Sequence, residues 1–332
     1  ERALVVGLGS IGERHLRLLR EALPRAKILV LRHRNYEETP IYADACTTDL
    51  AEAIEFKPQI AIVSSPAPFH LHVANVLAEH GTHLLVEKPL SDSTNQVKPF
   101  LEKCRDHNVL VQVAYNLRFL ETLRRFKAEV DKERVGRLLA VKCEIGQYLP
   151  GWRPTKDYRT TVSAQKSLGG GVLLELSHEL DLLRWIFGEI DSLNSWYGQL
   201  SRLEIDVEDS AQLNISFANG VQGALSMDFI RHDATRKCIA IGESGSLMWN
   251  ASDGEVSVFE AGSETWEVLY GNRPERDATY RQQVASFLDA VSLGKLQKDV
   301  ATGKDGLEVL RVIEAARKSH QNNGIKTYIE KE

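Results

Sequence analysis

The chain has 332 residues, 43% of them hydrophobic and 26% charged, an ordinary globular composition that excludes a disordered, collagenous or coiled-coil protein. Such a length suits two domains. The 41 basic residues against 46 acidic ones give a net charge of −5, so no basic field exists to hold nucleic acid or an anionic membrane, and a bound anion needs a local site.

From the start to about Val113, short apolar runs alternate with amphipathic segments. The runs are Ala3–Val6, Ile28–Leu31, Ile60–Val63, Leu84–Val86 and Val109–Val113, the pattern of parallel strands covered on both faces by helices. Between them, Ile11–Leu23 places Ile11, Leu18, Leu19 and Ala22 opposite Arg14, Arg17 and Glu21, and Phe69–Glu79 and Ser93–Asp106 are also helical in pattern. Repeated βαβ units of this kind predict an α/β, doubly wound Rossmann domain.

The first run leads directly into Gly7-Leu8-Gly9-Ser10-Ile11-Gly12, which opens a helix. In that setting Gly7 permits a tight turn, Gly9 lets backbone approach a pyrophosphate, Gly12 lets helix and strand pack closely, and the N–H groups at Ser10 and Ile11 face the anion. Dinucleotide binding is the expectation. Twenty residues after Gly12, where an NAD-selective chain usually carries an acid for the ribose hydroxyl, stands Arg32, in Arg32-His33-Arg34. Guanidinium groups at Arg32 and Arg34 suit a 2′-phosphate, so NADP(H) is expected over NAD(H). Glu37 or Glu38, folded back onto a ribose, is the route by which NAD(H) would remain usable. Glu87-Lys88-Pro89 ends the Leu84–Val86 run, and ligands bind beyond the carboxyl ends of such strands, which aims Lys88 at the cofactor cleft.

After Gly136 the texture changes. Leu213, Ile215 and Phe217 alternate with polar residues, Asn219-Gly220 marks a hairpin, and Val221–Ile230 and Val256–Val258 continue the series. An α+β domain with a large, open, mostly antiparallel sheet is expected. Gly169-Gly170-Gly171 opens a helix predicted to run from Val172 to Phe187, which Gly188 ends. Tyr280–Val291 and Asp305–Ser319 are the last predicted helices. The expected division is a dinucleotide domain over 1–120, to which a helix at about 303–320 returns, and a substrate-binding and oligomerisation domain over 121–300.

Cys46, Cys104, Cys143 and Cys238 lie far apart, which argues against a zinc ribbon or disulfide framework and for a reduced, intracellular chain. His70, His72, His80 and His83 form no coherent ligand set, so no metal is expected. The opening apolar run is cut by glycines too early for a signal peptide, and no run approaches the roughly 18–20 apolar residues of a membrane span. The expected compartment is the cytoplasm.

Taken in order, Gly7-x-Gly9-x-x-Gly12, Ser64-Ser65-Pro66 with His70, Glu87-Lys88-Pro89, Asn116-x-Arg118-Phe119, the glycine triplet with His178-x-x-Asp181, and Gly303-Lys304-Asp305-Gly306 resemble the Gfo/Idh/MocA family of NAD(P)-dependent oxidoreductases over nearly the whole chain. The resemblance implies a sugar, polyol or sugar-derived small molecule as substrate, and a homodimer or homotetramer formed through the C-terminal sheet. It implies that His178 takes the hydroxyl proton, that Lys88 stabilises alkoxide charge, and that Asp181 orients substrate or imidazole. Ser65, Pro66, His70 and Glu87 are then expected at the cofactor, and Asn116 and Arg118 at the substrate. The family's acid four residues before the histidine is Leu174 here; Glu175, three before, is the candidate replacement.

Trp152, Arg153, Lys156, Tyr158 and Arg159 precede the glycine triplet. Aromatic faces stack on sugars and arginines pair with carboxylate or phosphate, so the segment suits an anionic or nucleotide-linked sugar; an interface loop of aromatic anchors is the other reading. Two rival functions stand beside the dehydrogenase: reduction of an imine or conjugated double bond, and dinucleotide sensing without turnover.

Overall fold

The structure is a computed structural model that describes residues 1–34 and 38–330; Glu37 lies outside the described residues. The chain begins β1 (Arg2–Val6), α1 (Ser10–Ala22), β2 (Lys27–Leu31), β3 (Ala45–Thr47), α2 (Leu50–Glu55), β4 (Ile60–Val63), α3 (His70–Glu79), β5 (His83–Val86), α4 (Val97–Asp106) and β6 (Val111–Val113). It continues with α5 (Glu121–Asp131), β7 (Leu138–Gly146), α6 (Val172–Glu175), α7 (Ser177–Phe187), β8 (Ile190–Gly198), β9 (Ser210–Phe217), β10 (Gln222–Asp228), β11 (Thr235–Gly242), β12 (Gly245–Asn250), β13 (Glu255–Glu260) and β14 (Glu267–Gly271). It closes with α8 (Ala278–Leu293), α9 (Gly303–Gln321) and β15 (Thr327–Tyr328).

Two compact units result. The first comprises Glu1–Asn116 and Arg276–Leu310. Its parallel sheet has the order β3-β2-β1-β4-β5-β6, with the reversal between β1 and β4 where doubly wound sheets bind ligands. Ala3, Val5, Ile28, Val30, Ile60 and Ile62 are at most 1% exposed and share one core with Leu16, Leu18 and Leu19 of α1 and Phe287 of α8. Each of the Val, Ile, Leu and Phe side chains contributes about 1.5–3 kcal/mol by leaving water, which is why short all-apolar runs suffice for strands. The first two turns of α9 also cluster here. A Cβ at Gly303 would lie 2.4 Å from Leu101 Cδ2, and one at Gly306 2.8 Å from Leu90 Cβ, so the glycines let the helix approach closely.

The second unit comprises Leu117–Glu275 and Arg311–Glu332. Its nine strands run β14-β13-β12-β11-β7-β10-β9-β8-β15; β10 and β7 are parallel and the other pairs antiparallel. Alternate residues such as Val141, Leu213, Leu225, Ala240, Leu247 and Val256 are buried on the packed face. The Trp249 indole is fully buried and its N–H donates to Thr122 Oγ1 of α5 at 3.1 Å, so the polar handle of this large anchor is satisfied.

The helix predicted over Val172–Phe187 is broken. Leu176 leaves helical geometry at φ −96°, ψ 20°, and separates α6 from α7. The helix predicted from Ser93 starts at Val97, and the strand predicted from Val109 starts at Val111. Among the described residues no helix is long and apolar enough to cross a membrane, and no three His, Cys, Asp or Glu side chains could hold a metal.

Candidate active site

In the first unit the glycine loop leaves β1 and starts α1 beside the segment that follows β4. Gly7 has φ +84°, and a Cβ there would stand 2.8 Å from Ser65 N. A Cβ on Gly12 would be 2.3 Å from Gly7 O. Ser64 locks the two segments together, its hydroxyl donating to Val6 O at 2.8 Å and Gly7 O at 3.1 Å. Gly9 differs: a Cβ there meets nothing within 4 Å. Its bare face opens at the N-terminus of α1, beside N–H groups of Ser10, Ile11 and Gly12 that a helix leaves without intrahelical partners. Packing requires two of the glycines, and the third leaves room for an anion that the helix end attracts. The residues present therefore fit a dinucleotide pyrophosphate.

Next to the loop lies a cavity of ≈ 710 Å³ lined by Ser10, Arg14, Arg17, Arg32, Glu38 and Asp277, among others. Arg14 Nε lies 3.0 Å from Asp277 Oδ1, and Arg17 also pairs with Asp277. The Arg32 guanidinium hydrogen-bonds the Cys46 thiol; burial pushes that thiol's pKa up, against the opposing pull of Arg32. Arg34 is exposed.

Lys88 is half-buried just beyond β5, and the Lys88–Pro89 peptide is cis. The Ser65 hydroxyl is buried with no hydrogen-bond partner among the described residues, which suits a residue that faces a polar ligand. Pro66 precedes a short helical turn at Ala67–Phe69. His70 does not present its ring to a cofactor. It is 1% exposed, with Nε2 2.6 Å from Ser65 O and Nδ1 3.0 Å from Pro89 O. It is wedged between the segments after β4 and β5, and burial pushes its pKa down, so the neutral ring donates to one of the two carbonyls. Asn116 donates through Nδ2 to Thr279 Oγ1 at 2.9 Å.

In the second unit His178 is half-buried on the first turn of α7. Buried ion pairs anchor the helix on both sides of it. Arg118, expected at substrate, and Asp181, expected to orient substrate or imidazole, bind each other: Arg118 Nε donates to Asp181 Oδ2 at 3.0 Å and Nη2 to Oδ1 at 2.7 Å, the side chains 5% and 2% exposed. Their separation of 63 positions hid this from sequence. Glu179 was not anticipated at all. Its fully buried carboxylate, raised in pKa by burial, pairs with Arg236 and lies 3.9 Å from the Cys143 thiol. Glu175 is half-buried and its Oε2 accepts the Ser163 hydroxyl at 2.9 Å.

The glycine triplet has a packing cause. A Cβ on Gly170 would be 2.4 Å from Val162 O, and one on Gly171, at φ +96°, 2.5 Å from the Glu208 carboxylate. That carboxylate accepts Leu173 N at 3.1 Å and so caps α6; burial pushes its pKa up.

In the loop before the triplet several groups satisfy one another. Arg159 is exposed and engaged by Asp157 and Glu204, the Tyr158 hydroxyl accepts Glu204 N at 3.2 Å, and the Trp152 indole donates to Gln147 O at 3.0 Å. Arg153 is exposed and, with Trp152, Tyr158 and Ser163, lines a small cavity.

Comparison with known proteins covers both units. Residues 2–115 match a family described as "Oxidoreductase family, NAD-binding Rossmann fold", and residues 127–328 one described as "Oxidoreductase family, C-terminal alpha/beta domain". Over 338 residues the chain is 24% identical to an inositol 2-dehydrogenase of Burkholderia cenocepacia, with 97% of this chain and 94% of that one covered. It is 27% identical to a levoglucosan dehydrogenase of Pseudarthrobacter phenanthrenivorans over 61% of this chain, and spans 58% of that relative. Among solved structures, levoglucosan dehydrogenase with NADH is 20% identical at a TM-score of 0.86, covering 100% of this chain and 99% of that one. GenD2 from gentamicin A biosynthesis, with NAD, is 25% identical at 0.82, covering 99% and 96%.

Proposed function

The chain belongs to the Gfo/Idh/MocA oxidoreductase family, and on that premise we propose that it interconverts a hydroxyl and a carbonyl on a sugar, polyol or sugar-derived substrate. The observation that carries this reading is the carboxyl edge of the parallel sheet, where the open face of Gly9 follows β1 at the strand-order reversal and Lys88 follows β5, the neighbour of β4 on the other side of it. Relatives named for inositol and levoglucosan support a polyol or sugar.

A bound nicotinamide dinucleotide supplies the hydride acceptor or donor. The chain's own residues handle the proton and the charge. Lys88 stabilises the developing alkoxide, and His178 takes the hydroxyl proton. Glu175, fixed by the Ser163 hydroxyl, stands in for the acid absent at Leu174. Asp181 and Arg118 act by anchoring α7. With Arg159 engaged by carboxylates, Arg153 is the cation that would take an anionic sugar.

For the dinucleotide the reading is NADP(H) preferred, with NAD(H) accepted. Arg32 stands where a ribose-binding acid would, beside a thiol that does not neutralise it. A homo-oligomer through the open face of the nine-stranded sheet is supported by the partly exposed Trp196, Val268 and Tyr328.

Titrating NADPH and NADH against tryptophan fluorescence, then assaying a panel of polyols, sugars and sugar acids, tests the reading. Turnover of at least one panel member is expected, with NADPH bound more tightly and Arg32→Ala costing about 1.4 kcal/mol, or tenfold, in NADPH affinity alone. An NADH preference untouched by Arg32→Ala would overturn the cofactor choice.

A further inference from the structure

The roles above leave His15 unused. It lies on α1, the helix whose N-terminus closes the glycine loop, and it is completely buried. Its Nε2 is 2.6 Å from Glu87 Oε1, and Glu87 Oε2 accepts the backbone N–H of Lys88 at 3.1 Å. His15 Nδ1 has no hydrogen-bond partner among the described residues. The proton is therefore assigned to Nε2, where it has an acceptor, because a buried lone pair left bare costs less than a buried N–H left bare. The ring also packs edge-on against Tyr280, with centroids 6.1 Å apart.

A carboxylate at this depth persists only when its oxygens are satisfied. Burial pushes Glu87 up, but the hydrogen bond from His15, together with Lys88, outweighs it and holds the group below its ordinary value. One oxygen is spent on the glycine-loop helix and the other on the peptide of Lys88. On the far side, Pro89 O lies 3.0 Å from His70 Nδ1. The backbone N–H of Lys88 is braced by Glu87, and Glu87 in turn by the element that receives the cofactor phosphates.

We propose that His15 is a positioning residue: through Glu87 it fixes the backbone direction of Lys88 and couples occupation of the glycine loop to the placement of that lysine. The inference rests on the reading that Lys88 acts at the reacting oxygen. A mere space-filling role for His15 would be met by any side chain of similar volume.

Hydrogen–deuterium exchange of the peptide spanning 86–92, with and without NADPH, separates these ideas without requiring the substrate. In the wild type, NADPH is expected to slow exchange at the Lys88 amide by roughly tenfold. His15→Leu, which keeps bulk and loses the donor, is expected to abolish that effect while NADPH still protects residues 7–12; His15→Gln, which keeps a donor, is expected to restore it. NADPH protection of Lys88 in His15→Leu, or a Gln variant that behaves like Leu, would overturn the proposal. If His15→Leu does not fold, Glu87→Gln serves, because its single amide oxygen cannot bridge both donors: partial loss of the NADPH effect supports the proposal and a wild-type response overturns it.

Turnover of a panel substrate adds a second readout. His15→Leu is expected to lower kcat roughly 10–100-fold with cofactor KM nearly unchanged, the signature of a misplaced group. Lys88→Ala distinguishes the two levels. Full activity there removes the reading of Lys88 itself, whereas activity lost in Lys88→Ala and retained in His15→Leu removes only the positioning role.

Discussion

Arg118 and Asp181 face each other as a fork on a carboxylate, at 3.0 and 2.7 Å, with almost no water at either side chain. Such a pair need not add net stability over an apolar isostere, but breaking one half strands a buried charge. Asp181→Ala is expected to cost about 3–5 kcal/mol in urea unfolding, while Arg118→Met with Asp181→Leu recovers most of it. Equal losses in the single and double variants would show that α7 needs the charges themselves.

The glycine loop separates folding from binding. Gly12→Ala drives a Cβ to 2.3 Å from Gly7 O and is expected to destabilise the first unit by about 1–3 kcal/mol. Gly9→Ala meets nothing within 4 Å, so its melting temperature is expected to match the wild type while NADPH affinity falls roughly tenfold or more, because the methyl occupies the face a pyrophosphate would approach. Calorimetry and fluorescence titration on the same samples check both expectations.

Acid is expected to weaken the first unit in two stages. His70 is buried and pushed down in pKa, and burial also pushes down His83, whose Nδ1 accepts Leu110 N at 3.1 Å. Each binds more protons when unfolded, so its share of stability is present above about pH 6.5 and is lost as pH falls below it. Glu87, held below its ordinary value, adds a later loss as pH falls through about 4.3. Denaturation midpoints should therefore decline from pH 7 to 5, and decline less in a variant carrying His70→Asn and His83→Gln. A wild type that gains stability over that range would contradict the placement of these rings.

How much the sequence discloses follows from distance along the chain. The five apolar runs are visible because a strand covered on both faces has no polar alternation to confuse it, whereas β3, Ala45-Cys46-Thr47, stands in no apolar run and escapes. The Gly7–Gly12 loop is legible because its glycine spacing and its place between β1 and α1 are local in the chain, although Ser64 and Ser65, on which it packs, follow β4. The pairs that shape the sites are not: Arg118 meets Asp181 across 63 positions and His15 meets Glu87 across 72, and only tertiary packing brings them together. The break at Leu176 was equally hidden, since Leu173, Leu174 and Leu176 are all buried and the apolar pattern runs through it unchanged. Glu208 left no motif, yet its carboxylate fills the place of a Cβ on Gly171, whose φ of +96° itself calls for glycine.

The central claim, that Lys88 and His178 act on the reacting oxygen of a sugar or polyol, is tested most directly by the rate of reduced-nicotinamide formation for the wild type, Lys88→Ala and His178→Ala on the panel substrate turned over best. Both variants are expected to bind NADPH as the wild type does and to lose about 10²–10⁴-fold in kcat. Wild-type kcat in both variants would contradict the assignment of these two residues.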